Sequence, residues 1–282
     1  MSGALTVAVA QFAPGDDAEA PVVVAERLVR DAAASGAGLV VLPELFSGAY
    51  FCKRQDERHF SAAAPWQTHP VVERFAPIAA ELGIVLPLSI FEREGPHYYN
   101  SVVMVDADGA ALGVYRKSHI PDGPGYQEKF YFRPGQTGFK VWQTKVGAVG
   151  VGICWDQWFP EAARAMVLQG ADILVYPTAI GDEPQDPSLD TEARWRRAMV
   201  GHAVCNAIPV AAANRVGEED GQSFYGSSFV AGTDGSILAA LDRKEAGFAA
   251  VTIDLEAAAQ ERASWGFFRD RRPGLYRGLT EE

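Results

Sequence analysis

Cys154 is the residue of this sequence best suited to nucleophilic catalysis. It lies in the segment Gly-Val-Gly-Ile-Cys-Trp-Asp at residues 150–156, after an apolar strand and before a helix predicted to begin near Pro160. A strand-to-helix corner directs free backbone N–H groups at such a side chain, which favours a thiolate and provides an oxyanion site. Because a lone cysteine is more often a buried structural residue, the position alone makes Cys154 only a candidate.

A carboxylate and an ammonium group occupy comparable places in the chain. Glu44 follows a predicted strand at residues 39–42, and α/β sheets place active sites at the carboxyl ends of their strands. Lys117 follows a predicted strand at residues 111–115, and a lysine beside a thiolate would stabilise the thiolate and an oxyanion. Taken singly, a surface glutamate and a solvated lysine are ordinary alternatives. Since a Cys, a Glu and a Lys each lie just past a strand end, one sheet edge can gather them for general base and nucleophilic catalysis.

Other catalytic patterns are missing from the sequence. Its five histidines have no metal-ligand spacing, and it has neither a glycine-rich phosphate loop nor a Gly-x-Ser-x-Gly elbow. We therefore expect no metal and no cofactor. His119 has two interpretations, as an assistant to the cysteine in the manner of papain-like enzymes or as a residue lining the pocket. Of the remaining cysteines, Cys205 is predicted to lie in the core within a helix, and Cys52 receives no role.

Short apolar runs alternate with amphipathic helices along the chain. Strands are predicted over residues 5–11, 38–42 and 84–91, with helices over residues 21–34 and 70–82 between them. This βαβαβ order implies parallel strands joined by crossover helices.

The second half of the chain repeats this opening. A strand at residues 146–153, a helix at 159–169 and a strand at 173–176 follow one another, and each half contains a hairpin signal, at residues 106–109 and 232–235. Either the halves are duplicates or short strands resemble one another by coincidence. Duplication predicts two mixed sheets face to face, with helices on the outer faces. Since no linker or composition shift separates the halves, residues 1–282 are predicted to form a single domain with its core at about 4–255.

The composition excludes several classes of protein. With 25 Lys and Arg against 36 Asp and Glu the net charge is −11, and without a basic run neither nucleic acid nor an anionic membrane is expected as a partner. No apolar stretch is long enough for a transmembrane helix, and the N-terminal residues lack the basic start and cleavage site of a signal peptide. Three cysteines do not make a disulfide framework. A cytoplasmic protein is therefore expected.

Three segments together resemble the signature of a known family. Pro-Glu-Leu at residues 43–45, Tyr-Arg-Lys-Ser-His at 115–119 and Gly-Ile-Cys-Trp-Asp at 152–156 are similar to the active-site segments of the nitrilase superfamily, the carbon–nitrogen hydrolases. The resemblance covers nearly the whole chain. It implies an α/β fold, an αββα sandwich of two mixed β-sheets with helices on the outer faces.

The resemblance also assigns roles to individual residues. It implies that Glu44 is the general base, Lys117 steadies the tetrahedral intermediate and Cys154 is the nucleophile. Glu128, in the loop after the lysine, matches a further glutamate that supports the triad in this family. The backbone N–H of Trp155 would complete the oxyanion hole.

Further segments narrow the expected reaction within the superfamily. Residues 119–126, 128–132, 154–164 and 176–181 are very similar to the members that hydrolyse N-carbamoylputrescine. The expected reaction yields putrescine, carbon dioxide and ammonia through a cysteine thioester, in polyamine synthesis from arginine by way of agmatine.

The far end of that ureide substrate is a terminal amine, charged as an ammonium, which requires a carboxylate and aromatic walls. Glu183, in the acidic loop at residues 181–190, is the predicted partner of the ammonium, with Asp122 as second choice. Tyr50 and Trp155 are predicted to wall the alkyl chain.

Other functions stay open at this point. A β-ureidopropionase, an N-carbamoyl amino acid amidohydrolase or an ω-amidase would keep the same triad, but a substrate carboxylate would require an arginine such as Arg194, Arg196 or Arg197. A non-catalytic module for assembly or partner binding is the alternative of another class, and the intact triad argues against it. Family members are commonly homo-oligomers, so the aromatic tail at residues 264–282 is predicted either to pack across a partner subunit or to fold back on its own domain.

Overall fold

Strands and helices alternate at the start of each half of the computed structural model, which describes residues 3–13 and 20–280. The helices are α1 (Ala20–Ala34), α2 (Pro70–Leu82), α3 (Pro160–Leu168), α4 (Glu192–Asn206) and α5 (Leu255–Trp265). The strands are β1 (Ala4–Gln11), β2 (Leu39–Val41), β3 (Leu86–Glu94), β4 (His97–Val105), β5 (Ala111–Arg116), β6 (Lys140–Thr144), β7 (Gly147–Val151), β8 (Ile173–Pro177), β9 (Val210–Ala213), β10 (Val216–Glu219), β11 (Gln222–Tyr225), β12 (Phe229–Ala231), β13 (Ile237–Ala240) and β14 (Gly247–Asp254). None of these helices is both long and apolar enough to cross a membrane.

Two mixed sheets have the same strand order and directions. The first runs β14-β1-β2-β3-β4-β5, in which a parallel bridge between Leu39 and Val85 joins β2 to the segment leading into β3. The second runs β6-β7-β8-β9-β12-β13. In each sheet the first strand in this order pairs antiparallel with the second. The second, third and fourth strands are parallel to one another, and the last two pairings are antiparallel. The predicted pair of similar half-units is therefore confirmed in the topology.

The sheets pack face to face between two layers of helices. Along β1, Val7 and Val9 belong to the apolar core between the two sheets, whereas Ala8 and Ala10 belong to the core that includes α1 and α2. This alternation follows from the two-residue period of a strand, and it lets each sheet bury both faces. The helices α3 and α4 cover the outer face of the second sheet. The predicted αββα sandwich is confirmed.

Glycines and turns end the first helices where the sequence predicted. Gly83 adopts a left-handed conformation, with φ of 67°, at the end of α2, and helix α2 has the predicted bounds. The outer strands β6 and β14 were not among the predicted strands. Each pairs at a sheet edge, and β14 pairs with β1 from the far end of the chain, for example Ala4 with Asp254. No local pattern announces such a pairing.

The C-terminal tail folds back on its own chain in this structure. The Arg164 guanidinium of α3 lies 4.7 Å from the centre of the Phe268 ring. Residues of the tail together with α3 and α4 line a surface cavity of about 690 Å³. Cys205 lines the same cavity and is exposed near the end of α4, so its predicted place in the core is wrong. Its neighbour Val204 is also exposed, so the apolar residues around Cys205 do not all pack against the second sheet.

Candidate active site

Segments that follow four different strands meet at one edge of the sandwich. Glu44, after β2, donates its backbone N–H to the carbonyl of Thr178, after β8, at 3.2 Å. Cys154, after β7, directs its Sγ to the carbonyl of Ala179 at 3.7 Å. Lys117, after β5, joins them through the contacts described next. The sheet edge therefore gathers the three chemically apt side chains that the sequence placed beyond strand ends.

Glu44, Lys117 and Glu128 form a fully buried ion-paired cluster. Lys117 Nζ donates to Glu44 Oε1 at 2.8 Å and to Glu128 Oε2 at 2.7 Å. Glu44 Oε1 also accepts a hydrogen bond from Asn100 Nδ2 at 2.6 Å. The other oxygen, Glu44 Oε2, has no hydrogen-bond partner among the described residues. One carboxylate oxygen thus fixes the orientation of Glu44 while the other is left to act as a base.

The electrostatics of this cluster keep the lysine charged. Burial by itself would lower the pKa of Lys117, but the Glu128 and Glu44 carboxylates outweigh burial and raise that pKa above its ordinary value. Burial raises the pKa of Glu128 to about 7, with Lys117 opposing the shift and Glu44 adding to it. A charged lysine therefore lies between two carboxylates, and burial raises the pKa of one of them, Glu128.

Cys154 begins a short 3-10 turn, Cys154–Trp158, that separates β7 from α3. Its φ is +40°, a conformation that costs a residue with a Cβ energy and persists only where the surroundings impose it. Burial raises the pKa of the Cys154 thiol, Glu44 raises it further and Lys117 lowers it. The expected thiolate-stabilising effect of the lysine is thus present but outweighed, so the thiol requires a base to ionise it.

Several buried polar residues that the sequence did not single out hold this cluster. Arg215 is 1% exposed and donates to the backbone carbonyls of Leu45 and Gly48, at 2.6 and 2.9 Å, in the loop that carries Glu44. Its Nη1 pairs with Glu219 Oε1 at 2.7 Å. An arginine suits this task because its planar fork can donate to several oxygens at once. No spacing in the sequence signals the contacts of Arg215 with Leu45 and Gly48, which cross between the two halves.

Tyr50 lies in a different place from the one predicted. It is fully buried, its hydroxyl donates to Glu128 Oε1 at 2.7 Å, and it does not line the cavity at Cys154. Its backbone N–H donates to Glu219 Oε2 at 2.7 Å. The tyrosine therefore orients a carboxylate of the cluster, and the aromatic residues of the described cavity lining are Tyr126 and Trp155.

A cavity of about 150 Å³ opens over Cys154. This is smaller than the roughly 300–1,000 Å³ typical of sites for drug-sized ligands, so it suits a small, slender substrate. Its lining residues are Pro121, Asp122, Gly123, Pro124, Tyr126, Glu128, Cys154, Trp155, Ala179, Ile180, Glu183 and Gln185. The loop after β5, at residues 121–128, and the acidic loop at residues 181–190 thus contribute most of the wall. The larger cavity of about 690 Å³ beside the C-terminal tail contains none of Glu44, Lys117 and Cys154.

The cavity wall is acidic and aromatic. Asp122 and Glu183 both line it, as does Trp155, whose exposed fraction is 39%. Tyr126, an aromatic residue that the sequence did not single out, also lines the cavity. Its hydroxyl accepts the Gly181 N–H at 2.9 Å. No lysine or arginine is among the described residues of the lining. Such a wall favours a substrate with a positive charge at its far end.

The candidate arginines and His119 lie outside the cavity lining. Arg196 pairs with Glu192 at 2.8 Å, Arg197 lines the cavity beside the tail, and Arg194 is exposed. His119 neither lines the cavity nor contacts Cys154. Its ring Nδ1–H donates to Asp156 at 2.7 Å, and the ring stacks on Phe159 with centres 3.6 Å apart. Across the described part of the chain, no group of three His, Cys, Asp or Glu side chains is placed to hold a metal ion.

Comparison with known proteins gives a consistent family. Residues 6–263 match the carbon–nitrogen hydrolase family. An N-carbamoylputrescine amidase of Arabidopsis thaliana is 56% identical over 277 residues, which span 95% of this chain and 93% of that protein. A citrullinase of Francisella tularensis is 49% identical over 276 residues, which span 96% of each chain. Both relatives are therefore matched over nearly their full lengths.

The fold has a close match among solved structures. The crystal structure of a carbon–nitrogen hydrolase from Helicobacter pylori superposes with a TM-score of 0.93 and 38% sequence identity, and the match covers 99% of both chains. The αββα arrangement and the strand order are thus shared along the whole chain.

Proposed function

The chain belongs to the carbon–nitrogen hydrolase family, and from this premise we propose that it hydrolyses N-carbamoylputrescine to putrescine, carbon dioxide and ammonia. The observation that carries the substrate assignment is the cavity over Cys154, whose described lining has three acidic residues, Asp122, Glu128 and Glu183, and no basic one. A ureide ending in an ammonium group fits this charge pattern. The similarity to an N-carbamoylputrescine amidase at 56% identity supports the same substrate.

In the proposed first step, the Cys154 sulfur attacks the ureido carbon. Glu44 Oε2, the oxygen without a partner among the described residues, takes the thiol proton. The tetrahedral intermediate then collapses, the bond to the terminal nitrogen breaks, and Glu44 returns the proton to release ammonia. The product of this step is a carbamoyl thioester that retains the diamine chain.

Lys117 and a backbone N–H are proposed to stabilise the oxyanion. An ammonium group has three N–H donors, and two of those of Lys117 go to Glu44 Oε1 and Glu128 Oε2. The third remains for the substrate oxygen. Trp155 is in the first turn of a helix, where N–H groups lack an intrahelical partner, so its N–H is available as a second donor. Losing one such donor typically costs roughly 3–4 kcal/mol of transition-state stabilisation.

Hydrolysis of the thioester completes the cycle. Glu44 removes a proton from water, the resulting hydroxide attacks the thioester carbon, and the proton passes to the departing Cys154 sulfur. The product is a carbamic acid, which loses carbon dioxide to give putrescine. Glu128 makes no contact with the reacting atoms in this scheme and keeps Lys117 oriented through its 2.7 Å bond.

Hydrolysis of a ureido amino acid is the second candidate, because a citrullinase is 49% identical. Citrulline also carries a carboxylate, which would require a cation in the cavity. Arg194, Arg196 and Arg197 lie outside the lining, so the charge pattern favours the diamine substrate. A non-catalytic module is disfavoured because the chain retains the base, the lysine and the thiol.

Ammonia release from four ureides tests the proposal. N-carbamoylputrescine, N-carbamoyl-β-alanine, citrulline and uncharged N-butylurea would be compared at equal enzyme concentration. We expect kcat/KM for N-carbamoylputrescine to exceed that of the two carboxylate substrates by roughly 100-fold, which corresponds to about 2.8 kcal/mol. A higher kcat/KM for citrulline or N-carbamoyl-β-alanine would overturn the assignment of N-carbamoylputrescine as the substrate. Inactivity on all four compounds would overturn the proposed reaction.

Glu183 is proposed as the partner of the substrate ammonium. Glu183→Gln removes the charge and keeps the shape, so we expect KM for N-carbamoylputrescine to rise roughly tenfold with kcat little changed, because a bond to a charged group contributes about 1.5–3 kcal/mol. N-butylurea provides the matched control, since it has no ammonium and its kcat/KM should be the same in both proteins. Asp122→Asn, at an exposed position, should have the smaller effect; a larger effect than that of Glu183→Gln would reverse the assignment.

Three further properties belong to the proposal. We infer that residues 1–282 are one domain, because the two sheets share a single core between them. A homo-oligomer is supported by the exposed apolar residues Trp265, Leu275 and Leu279 of the C-terminal tail. A reducing, cytoplasmic location suits a reaction that needs Cys154 as a free thiol, and all of its cysteines are free.

A further inference from the structure

Asp156 is a buried carboxylate for which the proposed reaction has no use. It is fully buried, yet it lies two residues after the nucleophile, in the same 3-10 turn. Its carboxylate contacts neither Glu44 nor Lys117 among its hydrogen bonds. A buried charge is costly unless its oxygens are well satisfied, so its partners indicate what it is for.

The four hydrogen bonds that Asp156 accepts come from the segments on either side of Lys117 and directly before Cys154. Oδ2 accepts the Ile153 N–H at 2.9 Å and the Tyr115 hydroxyl at 2.7 Å. Oδ1 accepts the backbone N–H and the ring Nδ1–H of His119, at 3.1 and 2.7 Å. One carboxylate thus joins the residue before the nucleophile to residues two before and two after the lysine.

We propose that Asp156 is a positioning residue that locks the turn carrying Cys154 to the segment carrying Lys117. The positive φ of Cys154 requires surroundings that impose it, and the bond from the Ile153 N–H closes the backbone directly before that residue. The Tyr115 and His119 bonds set the distance between this turn and the end of β5. Because the oxyanion must meet Lys117 while the sulfur attacks the carbon, this distance determines the rate of the chemical step.

Neighbouring groups leave little freedom for this arrangement to change. A Cβ on Gly152 would lie 2.6 Å from the Tyr176 ring and 3.3 Å from Asp156 Cβ, so the backbone before the turn is tightly packed against Tyr176. The edge of the His119 ring bonds to Asp156, and the ring also stacks on Phe159. His119 therefore serves Asp156 as a donor, which gives it a role that neither sequence interpretation included.

Asp156→Asn tests the proposal, which rests on the proposed function for its kinetic readout. An amide offers one oxygen and one NH2 group, so in either orientation one backbone N–H, that of Ile153 or that of His119, faces the NH2 group and loses its acceptor. We expect kcat to fall roughly 100-fold, the effect of a displacement of about 1 Å in an active site, with KM within threefold of wild type because the far-end acids are unchanged. Asp106→Asn is the matched control: Asp106 is also buried and accepts two backbone N–H groups, from Ala107 and Lys145, but it lies in the β4–β5 hairpin away from the site.

Alkylation by iodoacetamide gives a readout that needs no substrate. Peptide mass spectrometry would follow each cysteine, and exposed Cys205 serves as an internal standard. We expect Cys154 to react roughly tenfold more slowly in Asp156→Asn than in wild type, and at the wild-type rate in Asp106→Asn. If wild type turns over no ureide, the proposed function fails while this rate still tests the positioning role.

Three outcomes would overturn the positioning role. The first is wild-type kcat together with a wild-type alkylation rate of Cys154 in folded Asp156→Asn. The second is a loss of kcat in Asp106→Asn equal to that in Asp156→Asn, and the third is a raised KM with unchanged kcat in Asp156→Asn. Should Asp156→Asn not fold, Tyr115→Phe removes a single bond to Oδ2 and keeps the carboxylate. We expect it to lower kcat roughly tenfold with unchanged KM, and wild-type kcat in Tyr115→Phe would count against the proposal equally.

Discussion

Cys154→Ala is expected to abolish the release of ammonia from N-carbamoylputrescine, with kcat reduced by at least roughly 10⁵-fold. The reason is that no other cysteine and no serine or threonine is among the described residues lining the cavity over Cys154, and loss of the nucleophile in comparable enzymes removes nearly all of the chemical acceleration. Alanine has the same backbone preferences as cysteine at a φ of +40°, so the fold should be retained. Steady-state ammonia release and thermal unfolding measure the two effects.

The control for Cys154→Ala is Cys205→Ala. Cys205 is exposed beside the C-terminal tail, away from the cavity over the nucleophile, and its replacement should leave kcat within twofold of wild type. Binding of intact N-carbamoylputrescine to Cys154→Ala, followed by calorimetry, would separate lost chemistry from lost binding. Turnover above about 1% of wild type in pure Cys154→Ala would contradict the thioester mechanism, since a water-only reaction cannot approach that rate.

Glu44→Gln should have the second largest effect, a fall in kcat of roughly 10³-fold, within the range of about 10²–10⁴ for loss of a general acid–base group. Glutamine can keep the bonds that Lys117 Nζ and Asn100 Nδ2 make to Oε1, because its amide oxygen can occupy the same place. The free oxygen Oε2 is replaced by an NH2 group, which cannot accept the thiol proton. The loss is therefore chemical and leaves the packing of the cluster intact.

Mass spectrometry of Glu44→Gln gives a second test of the same assignment. Since Glu44 is proposed to activate the water as well as the thiol, any enzyme that is acylated should remain as a thioester, with the mass of enzyme plus substrate less ammonia. Glu73→Gln, an isosteric change at an exposed carboxylate of α2, is the matched control and should retain wild-type kcat. More than a tenth of wild-type kcat in Glu44→Gln would exclude Glu44 as the base.

Residues that act through local sequence were predicted well. Leu39–Val41 and Gly147–Val151 form from short apolar runs with β-branched residues, and Pro70–Leu82 forms a helix with proline at its start and glycine after its end. The repetition of this pattern in the two halves predicted two similar sheets. Alternation of inward and outward side chains then required covering helices on the outer faces.

Residues whose roles depend on distant partners were predicted poorly. Tyr50 was assigned to a substrate wall, but its hydroxyl lies on Glu128, 78 residues away. Cys205 was assigned to the core, yet the helix face that carries it remains exposed. Arg215 and Asp156 were not assigned at all, although each bonds to a segment that carries a catalytic candidate.

The sequence was enough to predict the inner strands of the two half-units, the helices between them and the places of Glu44, Lys117 and Cys154 just beyond strand ends, because helix and strand periods and turn residues are local properties. Only the tertiary structure decided which oxygen of Glu44 is free, which groups hold Glu128, and how Asp156 joins the two segments of the site. These contacts link residues that are far apart in the chain, and the chain's path through two packed sheets, rather than any local pattern, brings their donors to their acceptors.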